Sequence, residues 1–238
     1  MRNERPEAPM ARPEKAKHTS DAARAAAMDT ARHLLDIGAV NFKPEDPYTF
    51  TSGRVSPSYI DCRRVIAFPE AREAMTAHAV DLIDREIGRD NIDVVAGGET
   101  AGIPYAAFIA VALGKPMVYV RKEPKGFGRM AQIEGALEDN AKVLLVEDLT
   151  TDAGSKVRFI DALREAGATV EHTYVVFHYG IFAEAWETME NLGVGLHALA
   201  TWWDVLDAAR ENSIFSAEQL DSVEEYLSAP DSWTPMGS

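Results

Sequence analysis

The chain has 238 residues, 46% of them hydrophobic, which suits one α/β domain, residues 19–238. Its formal net charge of −14 argues against binding to nucleic acid or an anionic membrane. A single cysteine, Cys62, rules out an intrachain disulfide. No segment resembles an export signal, and the longest apolar window, residues 105–113, is too short to cross a bilayer, so we expect a cytoplasmic location.

The N-terminal residues 1–18 are rich in proline and charge and show no apolar period, which predicts a disordered tail that the chemistry does not need. Ser20 or Asp21 then caps a predicted helix that ends near Gly38. Its apolar face is formed by Ala27, Met28, Ala31, Leu34 and Leu35.

Residues 40–64 are irregular, with turn signals at Ser52-Gly53 and Ser56-Pro57 and a strand-like stretch at residues 59–62. From the residues alone, this segment fits an edge hairpin without a functional role.

The next segments alternate between helix and strand. Pro69 begins a helix through Ile87, on whose apolar stripe His78 is expected to be a packed histidine. Residues 92–96 form a buried strand that leads into a glycine-containing loop, residues 97–104, before a helix over 101–113. Glycines at this end of a parallel strand allow a ligand to approach the backbone closely, although a plain turn explains them as well.

A strand over 117–120 leads into a basic loop, residues 121–135. Four cations against one acid lie between Arg121 and Arg129, and Gly126 and Gly128 make the loop mobile. This composition suits a lid that closes over a diphosphate, excludes water and neutralises a leaving group. The alternative is a solvated surface loop.

The central segment begins with a buried strand over 143–146, followed by Glu147 and Asp148. Small and hydroxylic residues come next, and then a helix with Val157, Phe159, Ile160 and Leu163 on its apolar stripe. Such a turn presents backbone N–H groups and a helix N-terminus to a phosphate monoester. The two carboxylates need nearby donors, such as the hydroxyl groups of a sugar, so the pattern indicates a ribose 5-phosphate. A capped turn with solvated acids is the alternative.

The C-terminal part continues with a strand over 169–177, a helix over 182–192 and a strand over 196–201. Helices over 202–209 and 215–227 are expected to pack back on the body, and residues 231–238 are expected to be frayed. This alternation predicts an α/β fold with a mostly parallel central sheet flanked by helices.

Three motifs resemble those of one enzyme family. The segment Val-Leu-Leu-Val-Glu-Asp-Leu-Thr-Thr-Asp-Ala-Gly-Ser, residues 143–155, resembles the phosphoribosyl-pyrophosphate (PRPP) motif of type I phosphoribosyltransferases. Residues 50–61, Phe-Thr-Ser-Gly-Arg-Val-Ser-Pro-Ser-Tyr-Ile-Asp, and the loop Arg-Lys-x-x-Lys-Gly-x-Gly at 121–128 are similar to segments of the orotate phosphoribosyltransferases within that family. The resemblance covers about residues 50–177. It implies the type I phosphoribosyltransferase fold, with a small hood formed by about residues 19–65 over the main sheet.

The resemblance also implies a reaction and its residues. Orotate and PRPP would give orotidine 5′-monophosphate and pyrophosphate, a step of pyrimidine (UMP) biosynthesis, with Mg²⁺ carried by PRPP and no direct protein ligand to the metal. The implied catalytic residues are Lys125, Glu147 and Asp148, and the implied orotate-binding residues are Thr151, Tyr59 and Ile60. The implied PRPP-binding residues are Arg121, Lys122, Lys125, Glu147, Asp148, Leu149, Thr150, Thr151, Asp152, Ala153, Gly154 and Ser155. A homodimer is implied as well, with loop 121–135 reaching the site of the partner subunit.

The sequence departs from the family pattern at several positions. Ala153 stands where glycine is usual, and Phe127 where many relatives have histidine. Thr51 and Ala101 stand where some relatives have lysine. Many relatives have Asp-Arg, with the arginine touching the orotate carboxylate, where this chain has His178 and Tyr179, either of which could donate instead.

Two other functions are compatible with parts of the pattern. A phosphoribosyltransferase for another base would share the phosphate motif but should lack the segment at 50–61 and the basic loop. A PRPP-sensing regulator without catalytic activity would use the same fold as a binding module, since a fold does not fix a function.

Overall fold

The computed structural model describes residues 12–50, 53–126, 132–212 and 214–237. Predicted features that involve Thr51, Ser52, Phe127, Gly128, Arg129 and residues 1–11 therefore lie outside the described residues. Helices alternate with strands along most of the described chain. The helices are α1 (Asp21–Asp36), α2 (Pro69–Glu86), α3 (Gly102–Leu113), α4 (Gly154–Glu165), α5 (Ala183–Asn191), α6 (Trp202–Glu211) and α7 (Ala217–Ser228).

The strands form a hood and a main sheet. Hood strands β1 (Val40–Phe42), β2 (Tyr48–Thr49), β3 (Val55–Ser56) and β4 (Ser58–Ile60) make two antiparallel pairs, β1 with β4 and β2 with β3. The main-sheet strands are β5 (Val94–Gly98), β6 (Met117–Val120), β7 (Ile133–Glu134), β8 (Lys142–Thr150), β9 (Thr169–His178) and β10 (Gly195–Thr201). Within the described residues the main sheet has six strands in the order β10-β9-β8-β5-β6-β7, and only β7 is antiparallel to its neighbour.

The predicted α/β class and mostly parallel sheet are confirmed. Helices and sheet enclose two apolar clusters, one shared by β8, α1, α2, α3 and the hood and the other by β8, α4 and α5. Buried aliphatic residues of β8 face both clusters, as a central parallel strand requires. The helix predicted from Ser20 is confirmed, because the Ser20 side chain accepts a hydrogen bond from the Ala23 N–H.

Two chain ends differ from the expected disordered tail and frayed terminus. Residues 14–16 form a 3-10 turn, Ala16 is buried, and the Arg12 guanidinium lies 2.6 Å from the Asp204 carboxylate. Near the C-terminus, the Trp233 indole donates to the Ser222 hydroxyl (3.1 Å), and the Met236 N–H donates to the Pro44 carbonyl (2.9 Å). Both segments are therefore packed against the body in the described part of the chain.

The strand order places three predicted loops at one edge of the sheet. Strands β8, β5 and β6 are parallel neighbours, so the loops that follow them leave from the same edge. These are the hydroxyl-rich loop after β8, the glycine loop after β5 and the basic loop after β6. None of the helices among the described residues is both long and apolar enough to span a membrane.

Candidate active site

The acid pair lies within a strand and not in the turn behind it. Strand β8 runs to Thr150, four residues beyond the predicted end at residue 146, because it continues to pair with β9 at Leu149↔Phe177 and Thr150↔His178. Glu147 and Asp148 are therefore consecutive strand residues, whose side chains face opposite sides of the sheet. Glu147 faces α4, whereas Asp148 is electrostatically coupled to Cys62 and Tyr105 on the hood side.

The carboxylate of Glu147 is held by buried donors. Its Oε2 lies 2.5 Å from the Lys156 ammonium and accepts a hydrogen bond from the Ser155 hydroxyl at 2.9 Å. The two charged side chains are only 9% and 2% exposed. The hydroxyl of Ser155, one of the implied PRPP-binding residues, thus donates to Glu147 in this structure.

Asp148 is the more exposed of the two acids. Burial raises the pKa of its carboxyl group above the ordinary value, while the positive charge of Lys156 and two backbone N–H groups act in the opposite direction. The same side of the sheet holds Cys62, whose carbonyl accepts a hydrogen bond from the Tyr105 hydroxyl at 2.5 Å. Burial, with a further contribution from Asp148, raises the pKa of the Cys62 thiol.

The loop between β8 and α4 has the form of an anion site. Asp152 accepts a hydrogen bond from the Gly154 N–H at 3.0 Å. Among the described residues, the backbone N–H groups of Thr151, Asp152, Ala153 and Ser155 donate no hydrogen bond to another backbone group. These amides lie at the N-terminus of α4, where the helix dipole favours an anion. The Thr150 hydroxyl is buried and has no hydrogen-bond partner among the described residues.

Ala153 adopts a left-handed conformation with φ +66° and ψ 8°. This left-handed region is strained for a residue with a Cβ and costs about 1–2 kcal/mol. The methyl group is 2% exposed and belongs to the cluster around α4, and its burial returns about 0.8 kcal/mol. The buried methyl thus offsets much of the strain that glycine would avoid.

The glycines at the end of β5 and at the start of α3 make room for the protein's own groups. A Cβ on Gly98 would lie 2.5 Å from Glu147 Oε1, and one on Gly102 would lie 2.4 Å from the Val146 carbonyl oxygen. The first glycine admits the Glu147 carboxylate, and the second lets α3 approach β8. In this structure the space beside Gly98 is filled by the Glu147 carboxylate, and the space beside Gly102 by the backbone of β8. The peptide bond between Glu99 and Thr100 in this loop is cis.

The basic loop is anchored at its base. The Lys122 N–H donates to Glu99 Oε2 at 2.7 Å, which joins this loop to the loop after β5. Arg121 exchanges bonds with Gln132 across the loop, and its guanidinium lies 3.4 Å from the Glu134 carboxylate. Lys125, in contrast, is exposed. The described part of the loop therefore ends in an exposed lysine above a fixed base.

The hood places Tyr59 and Ile60 on β4, which pairs with β1 at Asn41↔Tyr59 and Val40↔Ile60. Flanking bonds run from the Asp61 N–H to the Ala39 carbonyl and from the Lys43 N–H to the Pro57 carbonyl. By the alternation of an antiparallel ladder, the peptide groups of Tyr59 face β1, whereas those of Ile60 point to the outer edge. Ile60 is thus the better placed of the two for a base edge.

His178 and Tyr179 face different environments. The His178 ring is buried against Trp186 of α5, and its Nε2, like the neighbouring Thr150 Oγ1, has no hydrogen-bond partner among the described residues. Burial, assisted by the charge of Lys156, lowers the pKa of His178 to about 4. Tyr179 packs on Phe177, Phe182 and Trp202, and its electrostatic neighbours include Tyr59 and Asp148. Tyr179 therefore lies on the hood side.

Lys156 is the functional candidate that the sequence analysis missed. Its position in α4 carried a signal, because residue 156 lies on the same apolar stripe as Phe159, Ile160 and Leu163. A lysine on such a stripe is buried and needs a partner.

Other polar features lie away from this sheet edge. A cavity of about 550 Å³ lies between α1, α2 and β10 and is lined by none of the residues predicted to bind PRPP. His78, the predicted packed histidine, hydrogen-bonds Asp29 at 2.7 Å. Among the described residues, no group of three or more His, Cys, Asp or Glu side chains is arranged to hold a metal ion.

Comparisons with known proteins match this architecture. A model of the phosphoribosyl transferase domain matches residues 69–191. With its parallel sheet and the loop after β8, the chain has the type I phosphoribosyltransferase fold.

Individual relatives narrow the class. Orotate phosphoribosyltransferase from Ruegeria sp. (strain TM1040) is 55% identical over 204 residues, which cover 86% of this chain and 90% of that protein. The crystal structure of orotate phosphoribosyltransferase from Aeropyrum pernix superposes with a TM-score of 0.66 at 31% identity, covering 77% of this chain and 99% of that one. Leishmania donovani UMP synthase superposes with a TM-score of 0.74 at 26% identity, covering 86% of this chain and 42% of that one. The chain belongs to the orotate phosphoribosyltransferase family.

Proposed function

We propose that this enzyme transfers ribose 5-phosphate from PRPP to orotate, giving orotidine 5′-monophosphate and pyrophosphate for pyrimidine biosynthesis. The observation that carries the proposal is the sheet edge where the acid pair, the free amides before α4 and the basic loop meet, in a chain 55% identical to a named orotate phosphoribosyltransferase.

The chemistry of the reaction matches the charges at this edge. Breaking the bond between C1 and pyrophosphate leaves positive charge on the ribose and negative charge on the leaving group, so carboxylates should lie by the sugar and cations by the phosphates. We assign the sugar hydroxyls to Glu147 and Asp148, with Asp148 as the more accessible acceptor. The 5-phosphate is assigned to the loop from Leu149 to Ser155, mainly to its backbone N–H groups and the Thr151 hydroxyl.

The leaving pyrophosphate is assigned to Arg121, Lys122 and Lys125, with Lys125 as the catalytic cation. Its exposure and the fixed base of its loop support this role. Mg²⁺ enters as part of the PRPP substrate, held by diphosphate oxygens and water, as this ion prefers. A cytoplasmic location stays a prediction.

Orotate is assigned to the space between the hood and the end of β9. The outward peptide groups of Ile60, the neighbouring Tyr59 and the Thr151 hydroxyl supply donors and acceptors for the pyrimidine. Tyr179 is proposed to donate to the orotate carboxylate in place of the family arginine, because it faces the hood while His178 faces α5.

We further propose that the active form is a homodimer in which loop 121–135 reaches the partner's site. The exposure of Lys125 on this loop supports the proposal, because an exposed ammonium is accessible to a second subunit.

The direct test is the loss of orotate absorbance when the purified protein is mixed with orotate, Mg²⁺ and PRPP. Turnover of orotate, and none of uracil or a purine under the same conditions, is the expected result. Turnover of another base alone would reassign the substrate. Calorimetric binding of PRPP without turnover of any base would instead favour a sensing role.

A further inference from the structure

Lys156 is a buried lysine at the centre of a small polar cluster. Its side chain is 2% exposed, its ammonium lies 2.5 Å from Glu147 Oε2, and it donates to the Leu149 carbonyl. Removing a charged group of this kind from water is costly unless it is paired and hydrogen-bonded. Both conditions are met here, and both partners of the lysine belong to the end of β8.

The Glu147 carboxylate is fixed between these groups. Lys156 and the Ser155 hydroxyl bind Oε2, while Oε1 lies where a Cβ on Gly98 would approach within 2.5 Å. A rotation of the carboxylate away from this position would leave a buried ammonium without its counter-ion. Lys156 therefore determines where Glu147 stands.

The two acids are consecutive residues of β8, and their charges act on each other even though their side chains face opposite sides of the sheet. Burial and the charge of Glu147 both raise the pKa of the Asp148 carboxyl group, and the charge of Lys156 lowers it. The titratable and charged groups around Asp148 are Glu147 on β8, Lys156 on α4, Cys62 and Arg63 after β4, Tyr105 on α3 and Tyr179 directly after β9. Arg63 is exposed and is bound to Asp61, so Lys156 is the buried cation of this group.

We propose that Lys156 is a positioning residue for the sugar-binding acids: it fixes Glu147 and supplies the positive charge that lets both consecutive residues, Glu147 and Asp148, be carboxylates. The proposal rests on the proposed function, in which these acids accept from the ribose hydroxyls. Lys156 itself touches the acid and not the substrate.

The kinetic test replaces Lys156 by a neutral side chain of similar length, Lys156→Met, with Lys142→Met as the matched control on the exposed, opposite end of β8. We expect the acid limb of the kcat/KM profile for PRPP to move to higher pH by about one unit, because an opposite charge nearby lowers a carboxyl pKa by roughly that amount or more. At pH values on the acid side of this limb, the KM of the Lys156→Met variant for PRPP should be about tenfold higher than that of wild type, and raising the pH should restore the wild-type KM. The control should keep the wild-type profile. An equal loss at every pH would overturn the proposal.

A second measurement separates the pairing from catalysis. Urea unfolding midpoints are compared for wild type, Lys156→Met, Glu147→Gln and the double variant. Each single change should lower the midpoint, and the double variant should unfold later than Lys156→Met, because it no longer buries an unpaired carboxylate. Additive shifts would overturn the proposal even if orotate is turned over. Non-additive shifts in a protein that does not turn over orotate would reject the proposed function and leave the Lys156–Glu147 pairing established.

Discussion

At the scale of single residues, Tyr179 is the proposed donor to the orotate carboxylate. The family pattern has arginine here, and the sequence left His178 and Tyr179 as equal replacements. The structure separates them by face, since His178 packs on Trp186 and Tyr179 is coupled to Tyr59 and Asp148. A hydroxyl can donate to a carboxylate, although it does so without the second donor of a guanidinium.

Tyr179→Phe is therefore expected to raise the KM for orotate about tenfold, the loss of one hydrogen bond to a charged group, which is worth about 1.5 kcal/mol. The KM for PRPP should stay the same, because this residue lies at the base side of the site. Steady-state kinetics with each substrate varied in turn measure both values. A change in the KM for PRPP alone would assign Tyr179 to the sugar instead.

His178 makes a prediction about acid stability. Its pKa is lowered to about 4 in the folded chain, against about 6.5 in an unfolded one. Between these values the unfolded chain binds a proton that the folded chain does not, so the free energy of unfolding should fall as the pH drops from about 6.5 to 4.

The variant His178→Leu should lose less stability than wild type across that pH window. Urea unfolding at pH 7.5, where both forms of the chain carry a neutral residue at 178, corrects for the change in packing. If the free energy of unfolding falls equally with pH in the two proteins, another group is responsible for the loss of stability in acid.

At the scale of elements, the segment before α1 is packed against α6, whereas the sequence predicted a disordered tail. Arg12 and His18 both contact the carboxylate of Asp204, which is 1% exposed and also caps α6 through the Thr201 N–H. Burial acts to raise the pKa of Asp204, but the His18 hydrogen bond and the Arg12 charge outweigh it, so the pKa lies below its ordinary value.

Arg12→Met should lower the free energy of unfolding by about 1–3 kcal/mol, because it removes a charged partner from a buried carboxylate. Arg32→Met is the matched control. Arg32 forms an ion pair with Glu211 at 2.7 Å on the surface, where such pairs contribute little. Chemical unfolding of the two variants measures the difference, and equal effects would mean that residues 12–18 are not part of the folded body.

Most elements could be predicted from apolar periodicity and caps. Strand β6 has the predicted bounds, and α2 and α3 agree to within one residue. The end of β8 could not be found in this way, since Glu147 and Asp148 are disfavoured in strands and hide the continuation. Pairing with the ten-residue β9 overrides that local preference.

At the scale of the whole molecule, the proposed dimer predicts that two inactive variants can repair each other. Lys125→Ala alone should lower kcat far more than thermal stability, because Lys125 is exposed. Asp148→Asn should also be inactive. When the two are unfolded together and refolded, about a quarter of the wild-type activity should return, because half of the dimers are mixed and one of their two sites is intact.

Each variant refolded separately serves as the control and should stay inactive. No recovery in a mixture shown by mass to contain mixed dimers would place Lys125 in the site of its own chain. A monomer at all concentrations would reject the shared loop altogether.

The sequence by itself determined the order and type of the main elements, the hydroxyl-rich loop after β8 and the basic loop after β6, because periodicity, turn residues and local charge depend only on neighbours along the chain. The tertiary structure decided which face each residue takes. Strand pairing turned Glu147 and Asp148 to opposite sides, the approach of α4 brought Lys156 to Glu147, and glycines 98 and 102 became room for packing. These outcomes depend on contacts between strands and helices distant in sequence, and no local pattern specifies such contacts.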